Sequence, residues 1–151
     1  MNPVYYVSNE KPKSHNKNGS NQSYKDKHTN RFTSRYSHLY SGLPTSEGNL
    51  QSNLIYIHHD VSKANLPDVD NLSKPIIDAF TGVIYSDDSQ IVKRSVAAIE
   101  LADFEFVTVD MSNLPEEIAT DFDGFITAQE NHIVFLEVNS IALKDIKIGE
   151  I

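Results

Sequence analysis

Residues 66–90, LPDVDNLSKPIIDAFTGVIYSDDSQ, constrain the chain more tightly than any other stretch. Leu72, Ile76, Ile77 and Phe80 keep to one helical face, and Gly82 marks its end. Pro75 has no N–H to donate, so it is tolerated only near a helix start. A helix is therefore expected over residues 71–80, capped by Asp70 or Asn71. Two acids one residue apart, Asp68 and Asp70, then stand where loop becomes helix. The Asp87–Asp88 pair follows after the chain has returned.

A helix-and-return connection can bring Asp88 beside Asp68 and Asp70. Three carboxylates held together repel one another unless a cation lies between them. The donors are all oxygen, and the chain has no cysteine, which favours a hard ion, Mg²⁺ or Mn²⁺. Such an ion commonly binds through one or two carboxylates plus a substrate phosphate, the arrangement of metal-assisted phosphodiester hydrolysis. Lys74 lies four residues after Asp70 and shares its helix face. It is either a local ion-pair partner or a cation that stabilises charge developing on a phosphate. The spacing leaves both readings open.

Elsewhere the pattern is that of an α+β domain. Residues 1–7, MNPVYYV, form an apolar run suited to a strand, and residues 8–23 read as a flexible basic N-terminal loop with little to bury. Phe32, Tyr36, Leu39, Tyr40 and Leu43 predict a helix over 29–43, with Arg31 and Arg35 on a neighbouring face. Residues 53–59, NLIYIHH, predict a central strand with two apolar faces. His58 and His59 are adjacent, so a strand turns them to opposite faces and they cannot easily share one metal ion. Residues 90–101 and 104–109 are strand-like and suggest a hairpin. A helix start is expected within 112–120, a turn with the surface acids Asp121 and Asp123 at 121–124, and a strand at 132–138. Together these give a single domain over residues 1–151, a mixed central β-sheet with flanking helices.

Charge divides the chain unevenly. Residues 1–40 hold seven Lys/Arg and two acids, net +5, while the remainder holds six basic and nineteen acidic groups, net −13. A basic arm on an acidic body is suited to a polyanion. Its candidate nucleic-acid contacts are Lys11, Lys13, Lys17, Lys25, Lys27, Arg31 and Arg35; a solvated basic face without a partner is the plainer alternative. No apolar run is long enough for a membrane helix, and there is no apolar leader typical of secretion. A cytoplasmic location is the expectation, and the sequons at Asn18 and Asn71 are read as chance matches.

The string from Pro67 to Val92, PDVDNLSKPIIDAFTGVIYSDDSQIV, resembles the signature of the RusA family of Holliday junction resolvases. The likeness runs almost without interruption and takes in Asp78, Gly82 and Gln90 as well as the acids. Ser14–Asn16 match a Ser/Asn loop of that family more loosely. The resemblance implies a RusA-like fold and a homodimeric, Mg²⁺-dependent endonuclease that cuts four-way DNA junctions by paired symmetric nicks. It implies Asp68, Asp70 and Asp88 as catalytic metal-binding acids, with Asp87 supporting and Lys74 as the catalytic lysine. A related nuclease acting on forks or flaps, and a catalytically silent DNA-binding module, remain as alternatives.

Overall fold

The computed structural model describes residues 1–13, 22–106 and 110–149. Four strands, β1 (Val4–Ser8), β2 (Leu50–His58), β3 (Ile91–Glu100) and β4 (His132–Ser140), form one sheet in the order β1-β4-β2-β3. β4 runs antiparallel to both β1 and β2, while β2 and β3 are parallel. A parallel pair needs a crossover, and α2 (Val69–Ala79) supplies it. The other two helices are α1 (Gln22–Arg35), between β1 and β2, and α3 (Glu116–Thr127), before β4.

The sheet is the middle of three layers. Tyr6 of β1, fully buried, meets Phe32 of α1 and Phe80 at the end of α2, with ring centroids 6.3 and 4.9 Å away. Phe135 of β4 meets Phe122 of α3 at 5.6 Å. Tyr6 pairs with Leu136, and adjacent strand residues point to opposite faces. α1 and α2 therefore cover one face and α3 the other. Period-2 burial along β2 agrees: Leu50, Ser52, Leu54 and Tyr56 are buried while Gln51, Asn53 and Ile55 are less so. The single-domain α+β architecture with a mixed sheet is as expected from the sequence.

Several local expectations fail for identifiable reasons. α1 starts at Gln22 and ends at Arg35, so residues 22–23 belong to it, and of Tyr36–Leu43 only Ser37–Leu39 are helical, as a separate 3-10 turn. Its buried face is Tyr24, His28 and Phe32; a buried histidine completes the stripe that apolar residues alone do not mark. Ser8 is the last residue of β1, not loop. α2 starts at Val69, which puts Pro75 two residues deeper than expected. The carbonyl of Asn71 consequently loses the amide that would otherwise reach it. Among the described residues β3 pairs with β2 and not with a following strand, and residues 101–106 form helical turns. Asp121–Gly124 lies inside α3. Lys17, Ser14–Asn16 and residues 107–109 fall outside the described residues.

Candidate functional site

The sequence of α2 sets where its acids stand. Asp68 is the N-cap residue, with φ −63° and ψ 148°, and Asp70 lies in the first turn. Aspartate normally caps by accepting a backbone N–H two or three residues on. Asp68 makes no such bond, so its carboxylate is left for other use. Both side chains are exposed. A buried apolar face, Leu72, Ile76, Ile77 and Phe80, anchors the helix beneath them.

The Asp87–Asp88 turn is held differently. The carboxylate of Asp87 accepts from Ser89 Oγ and caps its own turn, while its backbone N–H donates to Gln90 Oε1 at 2.7 Å. Gln90 Nε2 in turn donates to the carbonyls of Thr45 and Glu47, at 3.0 and 2.7 Å. The turn is thus pinned to the loop before β2 through one glutamine. Asp87 is spent on structure, and Asp88 beside it is not.

The acids between β2 and β3 fall into two groups. Asp60 lies 3.5 Å from His59, an ion pair when that imidazole is protonated, Asp78 pairs with Lys74 at 3.6 Å, and Asp87 with its own turn. The side chains of Asp68, Asp70 and Asp88 have no hydrogen bond or ion pair with any described residue. Lys74, half exposed, therefore pairs one turn toward the C-terminus and not with Asp70. Among the described residues no three His, Asp or Glu side chains gather closely enough to hold a metal ion. The three-carboxylate cluster expected from the sequence is not assembled within one chain. Unneutralised carboxylates repel one another. The donor chemistry suits a hard cation that takes one or two carboxylates, with water or phosphate completing its shell.

The basic residues also divide. Lys11 and Pro12 line a groove of about 220 Å³ together with Asn65, Leu66, Asp68 and Asn71, so the segment after β1 reaches the head of α2. Lys13 and Lys27 line a neighbouring groove with Tyr24; Lys27 is exposed and lies 3.8 Å from Glu10, and Lys25 is partly exposed. Arg31 and Arg35 are committed to partners within the chain, although Arg35 stays half exposed. Arg35 grips Asp121 through Nε and Nη2 at 3.0 and 2.7 Å, and Arg31 donates to the Val7 carbonyl and to Tyr36 Oη. Burial pushes the Asp121 carboxyl up, but the hydrogen bonds from Tyr36 and Arg35 outweigh it and leave the group below its usual range. Asp121 is thus no surface acid; it ties α3 to α1.

Sequence reasoning missed the far end of β2. His58 lies directly across from His132 of β4, and Tyr56 Oη is hydrogen-bonded to His132 Nδ1 at 2.7 Å. The only signal was the tyrosine-histidine alternation in β2, and its partner lies 74 positions on in the chain. No helix among the described residues is long and apolar enough to cross a membrane.

A family model described as Endodeoxyribonuclease RusA matches residues 3–109. The match takes in β1, α1, β2, α2 and β3 with all of Asp68, Asp70, Lys74 and Asp88; α3 and β4 lie beyond it. Comparison with curated proteins gives no match.

Proposed function

The chain belongs to the RusA endodeoxyribonuclease family, and on that premise we propose that it resolves four-way DNA junctions by metal-dependent hydrolysis at the head of α2. The observation that supports this most is the contrast among its acids. Asp60, Asp78 and Asp87 are each engaged within the chain, while Asp68, Asp70 and Asp88 keep their carboxylates free. Three exposed or half-exposed acids without partners cost nothing in solvent and are ready for a cation.

Asp68 and Asp70 would hold Mg²⁺, or Mn²⁺ in its place; Asp88, which one chain does not gather with them, would be a further acid, with Asp87 fixing its turn. When bound, the ion polarises a phosphate oxygen and lowers the pKa of a coordinated water. The chain's own residues do the rest. Asp68 and Asp70 would fix where that ion sits, at the rigid start of α2. Lys74 is half exposed and held by one 3.6 Å contact to Asp78, so it can turn to a phosphate and offset charge that builds up there. Gln90 keeps Asp88 in position through the carbonyls of Thr45 and Glu47. Lys11, Lys13, Lys25 and Lys27 supply the cationic approach for DNA. A four-way junction has two-fold symmetry, so paired symmetric nicks follow from a homodimer with one site per protomer.

The test is cleavage of end-labelled synthetic substrates, a four-way junction, a fork, a flap and a linear duplex, in Mg²⁺ and in EDTA. Paired nicks in the junction that need Mg²⁺ are expected. Cleavage of forks or flaps alone would move the substrate to those structures. Junction binding with no cleavage in Mg²⁺ or Mn²⁺ would refute the enzymatic reading.

A further inference from the structure

The same end of the sheet carries basic groups that the acid site does not use. β2 and β4 are antiparallel, and His58 and His132 occupy directly opposed positions, where side chains on one face come within contact of each other. Tyr56, two residues before His58, shares that face: its ring centroid is 5.5 Å from the His58 ring and 6.0 Å from the His132 ring. Its hydroxyl occupies Nδ1 of His132 at 2.7 Å, which fixes the ring and leaves Nε2 for a ligand. Both histidines are partly exposed.

Lys11 closes the arrangement. It leaves β1 on the segment that runs past the start of β4, is exposed, and lines the groove that also holds Asp68 and Asn71. Desolvation, then the charge of Lys11 and the neighbouring His58, hold the His132 imidazole below its ordinary range. The groups around His132 are therefore Lys11 from the segment after β1 and His58 and Tyr56 from β2. Tyr24 of α1 stands beside Tyr56, with Glu10 near it. An ammonium and two opposed imidazoles, one with its Nε2 unoccupied, next to a groove leading to a candidate metal-binding acid, offer donors to an anion.

We propose that Lys11, His58 and His132 form a subsite for a DNA backbone phosphate adjacent to the one cut at the head of α2. The proposal rests on the reading of the protein as a DNA endonuclease and adds to it the residues that seat a flanking phosphate. His132 lies outside the residues that match the family, so the subsite depends on the C-terminal strand of this chain. A phosphate there favours imidazolium over imidazole, so DNA binding takes up a proton at His132, and affinity falls as pH rises through the bound-state midpoint. A midpoint raised by about one pH unit on binding corresponds to about a tenfold loss of affinity across the interval between the free and bound midpoints.

The experiment is an imidazole NMR titration of the full chain in EDTA, alone, with a saturating synthetic four-way junction, and with inorganic phosphate. The junction is expected to raise the His132 midpoint. Lys11→Ala is expected to raise it in the free protein by removing a repelling charge, and to weaken junction binding severalfold. His132→Asn is expected to flatten the pH dependence of junction affinity measured by fluorescence anisotropy. Lys11 is exposed and outside the regular elements, so its variant tests the subsite even if His132→Asn folds poorly. An unmoved His132 midpoint at saturation, an unaltered pH dependence in folded His132→Asn, or a midpoint that moves with inorganic phosphate but not with the junction would each overturn the proposal. All readings are made without metal. A shifted His132 in a protein that never cleaves DNA would refute the nuclease and leave the subsite; cleavage with a silent His132 would do the reverse.

Discussion

Acidification is expected to weaken the fold through one buried histidine. His28 of α1 has no exposed surface. Its Nδ1 is hydrogen-bonded to Tyr6 Oη at 2.6 Å, and its Nε2 has no partner among the described residues. Burial, followed by the charges of Arg31 and Lys27, pushes its pKa from 6.5 down to about 4. In the unfolded chain the imidazole titrates near its ordinary value, about 6.5. Between those two values the unfolded chain binds a proton that the folded chain refuses. The folded state therefore keeps the full contribution above about pH 6.5 and loses it as the pH falls toward about 4. Each pH unit in that window is worth about 1.4 kcal/mol, so the whole amounts to about 3 kcal/mol. That is a large part of the roughly 5–15 kcal/mol that holds a domain together. His132, also held low, adds to the slope. Glu137, which burial pushes up, opposes it. The clean measurement is thus a difference. Urea unfolding of the native chain and of His28→Gln, at half-unit pH steps, should give a midpoint for the native chain that falls by about 1–2 M more than the variant's. Parallel loss of stability in the two proteins, or an NMR titration of His28 near the ordinary imidazole value, would refute the reasoning.

Three further outcomes follow from named contacts. Asp121→Ala strips Arg35 and Tyr36 of their acceptor and should cost about 2 kcal/mol in urea unfolding, discounted for the exposure of Arg35. Gln90→Ala releases the Asp87–Asp88 turn from Thr45 and Glu47; it should cost about 1–2 kcal/mol of stability and lower kcat for junction cleavage about tenfold with KM little changed. Lys74→Ala should lower kcat about a hundredfold, with partial recovery in Lys74→Arg, in steady-state cleavage assays.

The parts of the fold that were legible from sequence are those whose cause is local. Leu72, Ile76, Ile77 and Phe80 mark α2 because burial and helical spacing coincide there, and the apolar runs of β1, β2 and β4 mark strands for the same reason. What escaped is what depends on residues far apart. Asp121 reads as a turn acid until Arg31 and Arg35 are brought to it from about 90 positions away. The start of α1 is hidden because its buried positions are Tyr24 and His28, and a neutral, hydrogen-bonded histidine does not announce itself in a hydrophobicity pattern. β3 looks like half of a hairpin because sequence reports its strand character and not its partner, which is β2 in parallel. At the candidate site the acids and Lys74 were legible as a motif. Their pairing was not: Lys74 to Asp78, Asp87 to its own turn, and the rest left free. The same holds for His58, dismissed beside His59 while its neighbour across the sheet, His132, was out of view.

The central claim is that Asp68, Asp70 and Asp88 stay free of partners in order to hold a metal ion against DNA. It is tested most directly by Asp70→Asn, assayed for four-way junction cleavage in Mg²⁺ and for junction binding in EDTA. The substitution removes one carboxylate charge and leaves Asp68 unchanged at the N-cap position. Cleavage should disappear while binding persists or tightens, because the phosphate meets less negative charge. Cleavage at the wild-type rate by Asp70→Asn, or loss of junction binding by a folded variant, would contradict it.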